Sequence, residues 1–193
     1  SGFGAYTMRT EYGVLFGRSE ADLGFRLYDP YLTALDDASH ALPRKLGQSR
    51  WRSFFVHPHD MRFYNRDQIL PAAGFSDIVA EEAFESPPPE LGRYVSDAAV
   101  AEEILGIAKD SRYPGFIYSV TIENHGPWAP HGDSGRDRMV ENYVRLVQAG
   151  DAMLGRLREG IAALGRPALL VFFGDHRPSI PGASVPGGDR HTP

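Results

Sequence analysis

The chain of 193 residues contains no cysteine. Disulfide bonds, thiolate metal sites and cysteine nucleophiles are therefore excluded. The sequence also lacks an apolar run of the roughly 18 to 20 residues that a membrane-spanning helix needs, and it shows no signal peptide. Positive charge is not in excess, since 20 Lys and Arg stand against 25 Asp and Glu and give a formal net charge of -5. Because nucleic acid binds clustered cations, this balance argues against a nucleic-acid partner.

The composition of the chain fits one globular domain over residues 1–193. Hydrophobic residues make up 42% of it and aromatics 11%, which is typical of a chain with a packed core. The sequence starts at Ser1 without an initiator Met and stops at Pro193 in loop-like sequence. We therefore expect a piece of a longer protein, and we expect this piece to be soluble.

Three apolar segments, at residues 51–57, 115–122 and 168–173, have the composition of β-strands. Helical patterns stand between them, and the longest, over 137–164, repeats apolar residues on one face. Strands that are separated by helices predict an α/β fold, here a layered sandwich with a largely parallel central sheet flanked by helices.

Each predicted strand is followed by a polar cluster that contains histidine. The clusters are residues 57–60, 123–128 and the run Gly174-Asp175-His176. Ligands bind at the carboxyl ends of parallel strands, so we expect the clusters to converge. Asp175 and His176 can bind a divalent cation through one oxygen and one nitrogen. The alternatives are an Asx turn at this pair and a simple turn in the second cluster.

Two further segments contain candidate site residues. Arg66 follows a Tyr-Asn pair and can hold a phosphate in bidentate fashion. The alternative is a surface arginine paired with Asp67, which is a common and weak contact. Thr7 lies near the start of a predicted short helix over 6–16, where the positive end of the helix dipole favours a developing alkoxide. The alternative for Thr7 is an ordinary N-cap.

Together these segments resemble the sulfatase-like catalytic domain of the lipoteichoic acid synthase and phosphoglycerol and phosphoethanolamine transferase group, within the alkaline phosphatase superfamily. The resemblance covers most of the chain, and its motifs follow the family's order. They are Thr-Met-Arg-Thr-Glu-Tyr at 7–12, His57 with Phe-Tyr-Asn-Arg-Asp at 63–67, Ser-Val-Thr-Ile-Glu-Asn-His-Gly-Pro-Trp at 119–128, and Gly-Asp-His at 174–176.

The resemblance implies a catalytic centre with one divalent metal ion. It implies Thr7 as nucleophile and metal ligand, with Thr10 as the alternative nucleophile, and Asp175 and His176 as metal ligands. The sequence does not distinguish Mn, Mg, Zn and Ca. The family's remaining ligand is an acidic residue at the end of an N-terminal strand. That strand would precede Ser1, so we expect it to be missing from this piece of the sheet.

The resemblance also implies the residues around the substrate. His125 would be catalytic, as an acid or as a stabiliser of the leaving group. His57, Tyr64 and Arg66 would surround the substrate phosphate, with Tyr64 standing where the family often has Trp.

The activity that the resemblance implies is transfer of phosphoglycerol or phosphoethanolamine from a phospholipid head group to a cell-envelope or capsular glycan, through a phospho-threonine intermediate. The parent protein would be membrane-anchored and face the extracytoplasmic side. Classical sulfatases need a Cys or Ser within a Cys/Ser-x-Pro/Ala-x-Arg segment, which is not found near Thr7. The alternatives are a phosphodiesterase or sulfatase-type hydrolase of the same superfamily and an inactive binding or scaffold domain.

Overall fold

The computed structural model describes residues 2–3, 6–87, 93–110, 112–129 and 135–183. They divide into two compact units. The first, which we call the sheet unit, comprises residues 6–83 and 110–120. The second, which we call the long-helix unit, comprises the described residues of 1–5, 84–109 and 121–193.

The sheet unit contains a three-stranded parallel sheet among its described residues. Its strands are β2 (Arg52–Val56), β3 (Asp77–Val79) and β4 (Gly115–Ser119), in the order β3-β2-β4. Val56 is in register with Val79 on one side and Ser119 on the other. The predicted strands at 51–57 and 115–122 are confirmed, and so is the α/β class with a parallel sheet.

Short helices surround this sheet. The first is α1 (Thr7–Phe16), which agrees with the helix predicted over 6–16. It ends at Gly17, which takes a left-handed conformation with φ of 67°. The others that the structure describes in this unit are α2 (Glu20–Leu23), α3 (Ala34–Asp37), α4 (Leu42–Gly47) and α5 (Arg66–Ala72). One-turn 3₁₀ segments connect several of them.

Aromatic side chains form the centre of the sheet unit's core. Phe55, from the middle of β2, is fully buried and stacks on Tyr118 of β4 with ring centroids 5.8 Å apart. On its other side Phe75 contacts it edge-on at 5.4 Å. The buried face of α1 packs into the same core through Tyr12 and Leu15. Helix α1 therefore shares one buried core with the sheet.

The long-helix unit contains α6 (Asp97–Asp110) and α7 (Arg136–Ala163), which confirms the long helix predicted over 137–164. Ala101 of α6 packs against Met153 and Leu157 of α7. The unit also contains a short parallel pair, β1 (Gly2–Phe3) with β5 (His176–Arg177), that the sequence pattern did not predict. None of the helices in the described ranges is long and apolar enough to span a membrane.

The predicted strand at 168–173 is wrong. These residues are irregular and exposed, with 88% of Leu169 and 57% of Phe172 accessible to solvent. A strand is stable only where neighbouring strands satisfy its backbone and cover its side chains. A strand-like composition does not by itself provide neighbouring strands. After residue 168, pairing with another strand begins only at His176.

Candidate functional site

Thr7 is the first residue of α1 and is partly buried. Tyr6 takes the N-cap position, so the alternative in which Thr7 itself is the N-cap is wrong. The guanidinium carbon of Arg9 lies 4.0 Å from the centroid of the Tyr6 ring. The Thr7 side chain therefore stands in the first turn of a ten-residue helix, where the backbone N–H groups are directed outward and favour negative charge.

One turn after Thr7, Glu11 is part of a buried charged network. Both Glu11 and Arg66 are only 1% exposed. Arg66 Nε donates to Glu11 Oε2 at 3.2 Å, and Arg66 Nη2 donates to Glu11 Oε1. The Tyr31 hydroxyl donates to Glu11 Oε2 at 2.6 Å. Burial opposes the charged form of Arg66, but the adjacent carboxylate keeps the pKa of the guanidinium above its usual value.

Arg66 therefore differs from the surface arginine of the alternative interpretation. Its ion-pair partner is Glu11 rather than Asp67, and it is buried at the start of α5. The predicted phosphate contact of Arg66 stays a prediction.

The turn that leads into α5 is strained. Tyr64 and Asn65 both have left-handed backbones, with φ of 63° and 53°. Non-glycine residues in this conformation cost about 1–3 kcal/mol each and persist only where the surroundings fix them. The Tyr64 ring lies 5.0 Å from the Arg66 guanidinium carbon and edge-on to Tyr31. The predicted substrate segment is thus built against the Glu11–Arg66 pair.

His57 follows β2 directly and is 5% exposed. Its Nδ1 lies 2.8 Å from the carbonyl oxygen of Val120. Because a carbonyl only accepts, Nδ1 carries the proton, and in the neutral ring Nε2 carries the lone pair. The ring is stacked on His59, with centroids 5.7 Å apart.

His125 lies in the exposed loop after β4. Its Nδ1 is 2.8 Å from the carbonyl oxygen of Gly126, so this nitrogen again donates and Nε2 is the basic atom. The Tyr94 hydroxyl oxygen is 3.3 Å from the same nitrogen. Trp128 fixes the base of the loop, because its indole N–H donates to Asn124 at 3.1 Å.

The same loop is joined to α7 within the long-helix unit. Asn142 Nδ2 donates to the carbonyl of Trp128 at 3.0 Å, and the rings of Trp128 and Tyr143 meet edge-on at 5.6 Å. Burial and the charge of Asp175 raise the pKa of Tyr143. Tyr143 of α7 is therefore close enough to Asp175, a residue of the predicted metal pair, to be affected by its charge.

Asp175 and His176 form the predicted metal pair. Asp175 Oδ2 and His176 Nε2 are 3.3 Å apart, and His176 Nδ1 lies 3.2 Å from the carbonyl oxygen of Arg177. With Nδ1 donating to that carbonyl, a neutral His176 directs its Nε2 lone pair at a carboxylate oxygen. An oxygen and a nitrogen at this separation can both be ligands of one cation.

The pair fits a divalent cation. With metal–ligand distances of about 2.0–2.2 Å, two ligands of one ion lie roughly 3.0–3.5 Å apart, which includes the separation of Asp175 Oδ2 and His176 Nε2. A metal-binding histidine usually donates its second N–H to a carbonyl or carboxylate, and the carbonyl oxygen of Arg177 lies within reach of His176 Nδ1 for this purpose. Within the part of the chain that the structure describes, no three His, Asp or Glu side chains group closely enough to hold a metal.

The predicted site residues are distributed over the two units. Thr7, His57, Tyr64 and Arg66 belong to the sheet unit, whereas His125, Asp175 and His176 belong to the long-helix unit. Sequence reasoning missed the role of Glu11 in the sheet unit. Tyr31 binds Glu11 but lies 20 residues away in sequence, so no local pattern indicated that the two residues are in contact.

Sequence reasoning also missed a buried acid in the long-helix unit. Asp97, at the start of α6, is 3% exposed, and its backbone N–H donates to Glu123 Oε2 at 2.7 Å. Burial, followed by the charge of Glu123, raises the pKa of Asp97 to about 6. Ser96 Oγ accepts from the N–H of Ala99 at 3.2 Å and caps the helix.

Comparison with known proteins identifies the family. The model of the family named Sulfatase matches residues 1–192, and the chain belongs to this family. The capsular polysaccharide biosynthesis protein RkpI of Rhizobium meliloti (strain 1021) is 36% identical over 193 residues, which cover 98% of this chain and 36% of the relative. The chain therefore spans little more than a third of that relative's length.

Solved structures show the same fold. The lipoteichoic acid synthase LtaP from Listeria monocytogenes matches with a TM-score of 0.71 at 22% identity, over 85% of this chain and 42% of LtaP. A protein in the alkaline phosphatase superfamily from Vibrio parahaemolyticus matches with a TM-score of 0.57 at 20% identity, over 84% of this chain and 40% of that protein. The family resemblance and the fold class that the sequence predicted are confirmed.

Proposed function

We propose that this chain is part of a metal-dependent phosphotransferase that moves a phosphoglycerol or phosphoethanolamine group from a phospholipid head group to a glycan. One observation carries the proposal: a threonine begins α1 in a chain of the Sulfatase family that has no cysteine. The segment 6–16 contains no formylglycine motif, and a threonine oxygen at a helix start suits attack on phosphorus.

The relatives support the choice of substrates. The name of RkpI refers to capsular polysaccharide biosynthesis, and that of LtaP refers to lipoteichoic acid synthesis. Both names connect the family to cell-surface polymers. We extend this connection to a glycan acceptor for the present protein and to a parent protein that acts at the extracytoplasmic face of the membrane.

The reaction would proceed in two displacements at phosphorus. In the first, a bond forms between Thr7 Oγ and phosphorus, the bond from phosphorus to the lipid alcohol oxygen breaks, and the threonine proton passes to solvent. His125, when protonated, donates from Nε2 to the departing alcohol oxygen, because Nδ1 is engaged with Gly126. In the second, an acceptor hydroxyl oxygen bonds to phosphorus and passes its proton to His125 Nε2, the bond from phosphorus to Thr7 Oγ breaks, and the threonine oxygen takes a proton from solvent.

Asp175 and His176 are the residues that would hold a divalent cation, since their donor atoms fit one. When bound, the cation supplies neutralisation of the charge on the phosphoryl oxygens. Thr7 as a further ligand, and His57, Tyr64 and Arg66 as substrate contacts, stay predictions from the resemblance.

The test uses the complete gene product and compares Thr7→Ala with the matched control Thr10→Ala. We expect Thr7→Ala to reduce turnover to background without lowering the melting temperature, because a short hydroxyl contributes little packing. Thr10→Ala should retain turnover. The assay follows labelled phosphoglycerol from phosphatidylglycerol, with and without glycan, and mass spectrometry searches for phosphate on Thr7.

Each outcome separates the alternatives. Turnover that survives in Thr7→Ala and is lost in Thr10→Ala would move the nucleophile to Thr10. Label that reaches water at the same rate with and without glycan would show a hydrolase. Wild-type protein that shows no turnover after loading with each candidate metal would support the scaffold alternative.

A further inference from the structure

The buried carboxylate of Glu11 connects the predicted nucleophile helix α1 to the predicted substrate segment 64–66. Glu11 lies four residues after Thr7 in α1, and side chains at this spacing share one face of a helix. Its carboxylate is bound by Arg66, which begins α5 and follows the turn of Tyr64 and Asn65. One ion pair thus joins the helix of the nucleophile to the segment predicted to contact substrate.

The geometry of this ion pair restricts movement. Glu11 uses one oxygen for Arg66 Nη2 and the other for both Arg66 Nε and Tyr31 Oη. Two parallel bonds from a planar guanidinium fix the orientation of both side chains, and at 1% exposure both are shielded from solvent. Three hydrogen bonds to one carboxylate thus connect α1 to Arg66 and Tyr31.

Stability is a weak explanation for this arrangement. A buried ion pair is often no more stabilising than apolar residues of the same volume, because both charges lose their hydration. The neighbouring turn adds two left-handed non-glycine residues, Tyr64 and Asn65, which are costly in themselves. Two unfavourable features meet at one point of the sheet unit, next to the helix that begins with Thr7.

A second network on α1 provides a comparison. The Tyr12 hydroxyl donates a hydrogen bond to Asp37 Oδ2 at 2.5 Å. Asp37 also accepts hydrogen bonds from the guanidinium groups of Arg18, at 2.9 Å, and Arg26, at 3.2 Å. Both arginine side chains are 44% exposed. This network secures α1 to α3, and the hydrogen-bond donors that Asp37 receives from Tyr12, Arg18 and Arg26 lie outside the predicted substrate segment 64–66. It is a matched control for effects that arise only from a loosened helix.

We propose that Glu11 is a positioning residue of the transfer reaction. Through Arg66 and Tyr31 it fixes the first turn of α1, and hence the Thr7 oxygen, relative to the segment 64–66. This inference rests on the proposed function, because it takes Thr7 as the nucleophile whose position Glu11 fixes. Glu11 itself touches no reacting atom in this scheme.

The experiment measures kcat, KM and melting temperature for Glu11→Gln, Glu11→Asp and Asp37→Asn in the complete gene product. Displacement of a reacting group by about 1 Å can cost roughly a hundredfold in rate, so we expect kcat to fall at least tenfold in Glu11→Gln and KM to change less. Glu11→Asp keeps the charge but shortens the side chain, and should give an intermediate kcat. Asp37→Asn should lower the melting temperature while kcat stays within about threefold.

The outcomes are separable from those of the proposed function. Thr7→Ala is measured in parallel, and if it retains turnover the proposed function fails whatever the Glu11 variants do. If Thr7→Ala is inactive, wild-type kcat in Glu11→Gln or Glu11→Asp overturns the positioning role. Equal loss of kcat in Asp37→Asn and Glu11→Gln at matched melting temperatures also overturns it. Should Glu11→Gln fail to fold, the kcat of Glu11→Asp decides.

Discussion

Each unit of the molecule buries a carboxylate, and the two carboxylates have different surroundings. Glu11, in the sheet unit, is 1% exposed and lies against Arg66. Asp97, in the long-helix unit, is 3% exposed and lies near Glu123, a group of the same charge. Burial penalises both charges, but only Glu11 has a cation that offsets the penalty. The fold thus balances one buried acid with a counterion, whereas burial beside a like charge raises the pKa of the other to about 6.

The surroundings of Asp97 explain the second case. The groups that face it are the side chain of Thr121, which donates a hydrogen bond, the carboxylate of Glu123, and α7 at Gly150. Its Oδ1 is buried without a hydrogen-bond partner among the described residues. An unsatisfied carboxylate oxygen next to a second carboxylate favours the protonated acid.

The largest expected effect comes from removing the cation beside Glu11. Arg66→Met leaves a buried carboxylate without a counterion, which should lower the free energy of unfolding by about 3–5 kcal/mol. Urea unfolding at pH 7 measures it. The double variant Glu11→Gln/Arg66→Met removes both charges and should recover most of the loss. A double variant as unstable as Arg66→Met would show that packing of the arginine, rather than its charge, stabilises the unit.

A smaller effect of opposite sign is expected at Asp97. The native state holds the Asp97 proton up to about pH 6, whereas the unfolded chain releases it near the ordinary pKa of 3.8. Between these values the native state binds more protons, so the free energy of unfolding falls as the pH rises and then levels off. The total fall from this group is at most about 3 kcal/mol.

The variant Asp97→Asn should remove this dependence and unfold at higher urea concentration than wild type at pH 8. Glu123→Gln is the control, because it removes the repelling charge and should shrink the slope without abolishing it. Urea unfolding at several pH values from 4 to 8 compares the three proteins. An unchanged slope in Asp97→Asn would assign the pH dependence to another group.

The smallest effect is expected where an acid is not buried at all. Arg156 Nε donates to Glu102 at 2.8 Å, but the two side chains are 55% and 61% exposed. Water already solvates both charges, so Arg156→Ala should leave the melting temperature within the scatter of replicate scans. A clear fall would mean that surface pairs contribute more in this protein than their exposure indicates.

Sequence patterns predicted those parts of the fold that depend on near neighbours. The helical period over 137–164 gave α7, and the apolar run at 51–57 gave β2, because each pattern records burial on one face or on both. The start of α6 is likewise local, since Ser96 Oγ accepts from the N–H of Ala99. Strand β3 was missed, because it has three residues and begins with an aspartate.

Patterns failed where structure depends on distant partners. The segments 51–57 and 168–173 were both predicted as strands, yet only the first contains a strand that is paired on both sides by parallel neighbours. Arg66 reads as a surface residue because its partner Glu11 is 55 positions away in sequence. Strand ends and a helix start singled out Asp175, His176 and Thr7 as candidates, and motif resemblance supplied their implied roles, but no local pattern states which unit contains each residue.

The exposed apolar segment 168–173 has the composition of an aggregation-prone sequence. Its six residues, Ala-Leu-Leu-Val-Phe-Phe, carry no charge and favour extended structure, which is the composition of segments that stack into fibrils. Pro167 precedes the segment, and Gly174 and Asp175 follow it. Proline, glycine and a charge each interrupt intermolecular strand growth. The flanking residues thus limit the stretch available for stacking to six residues.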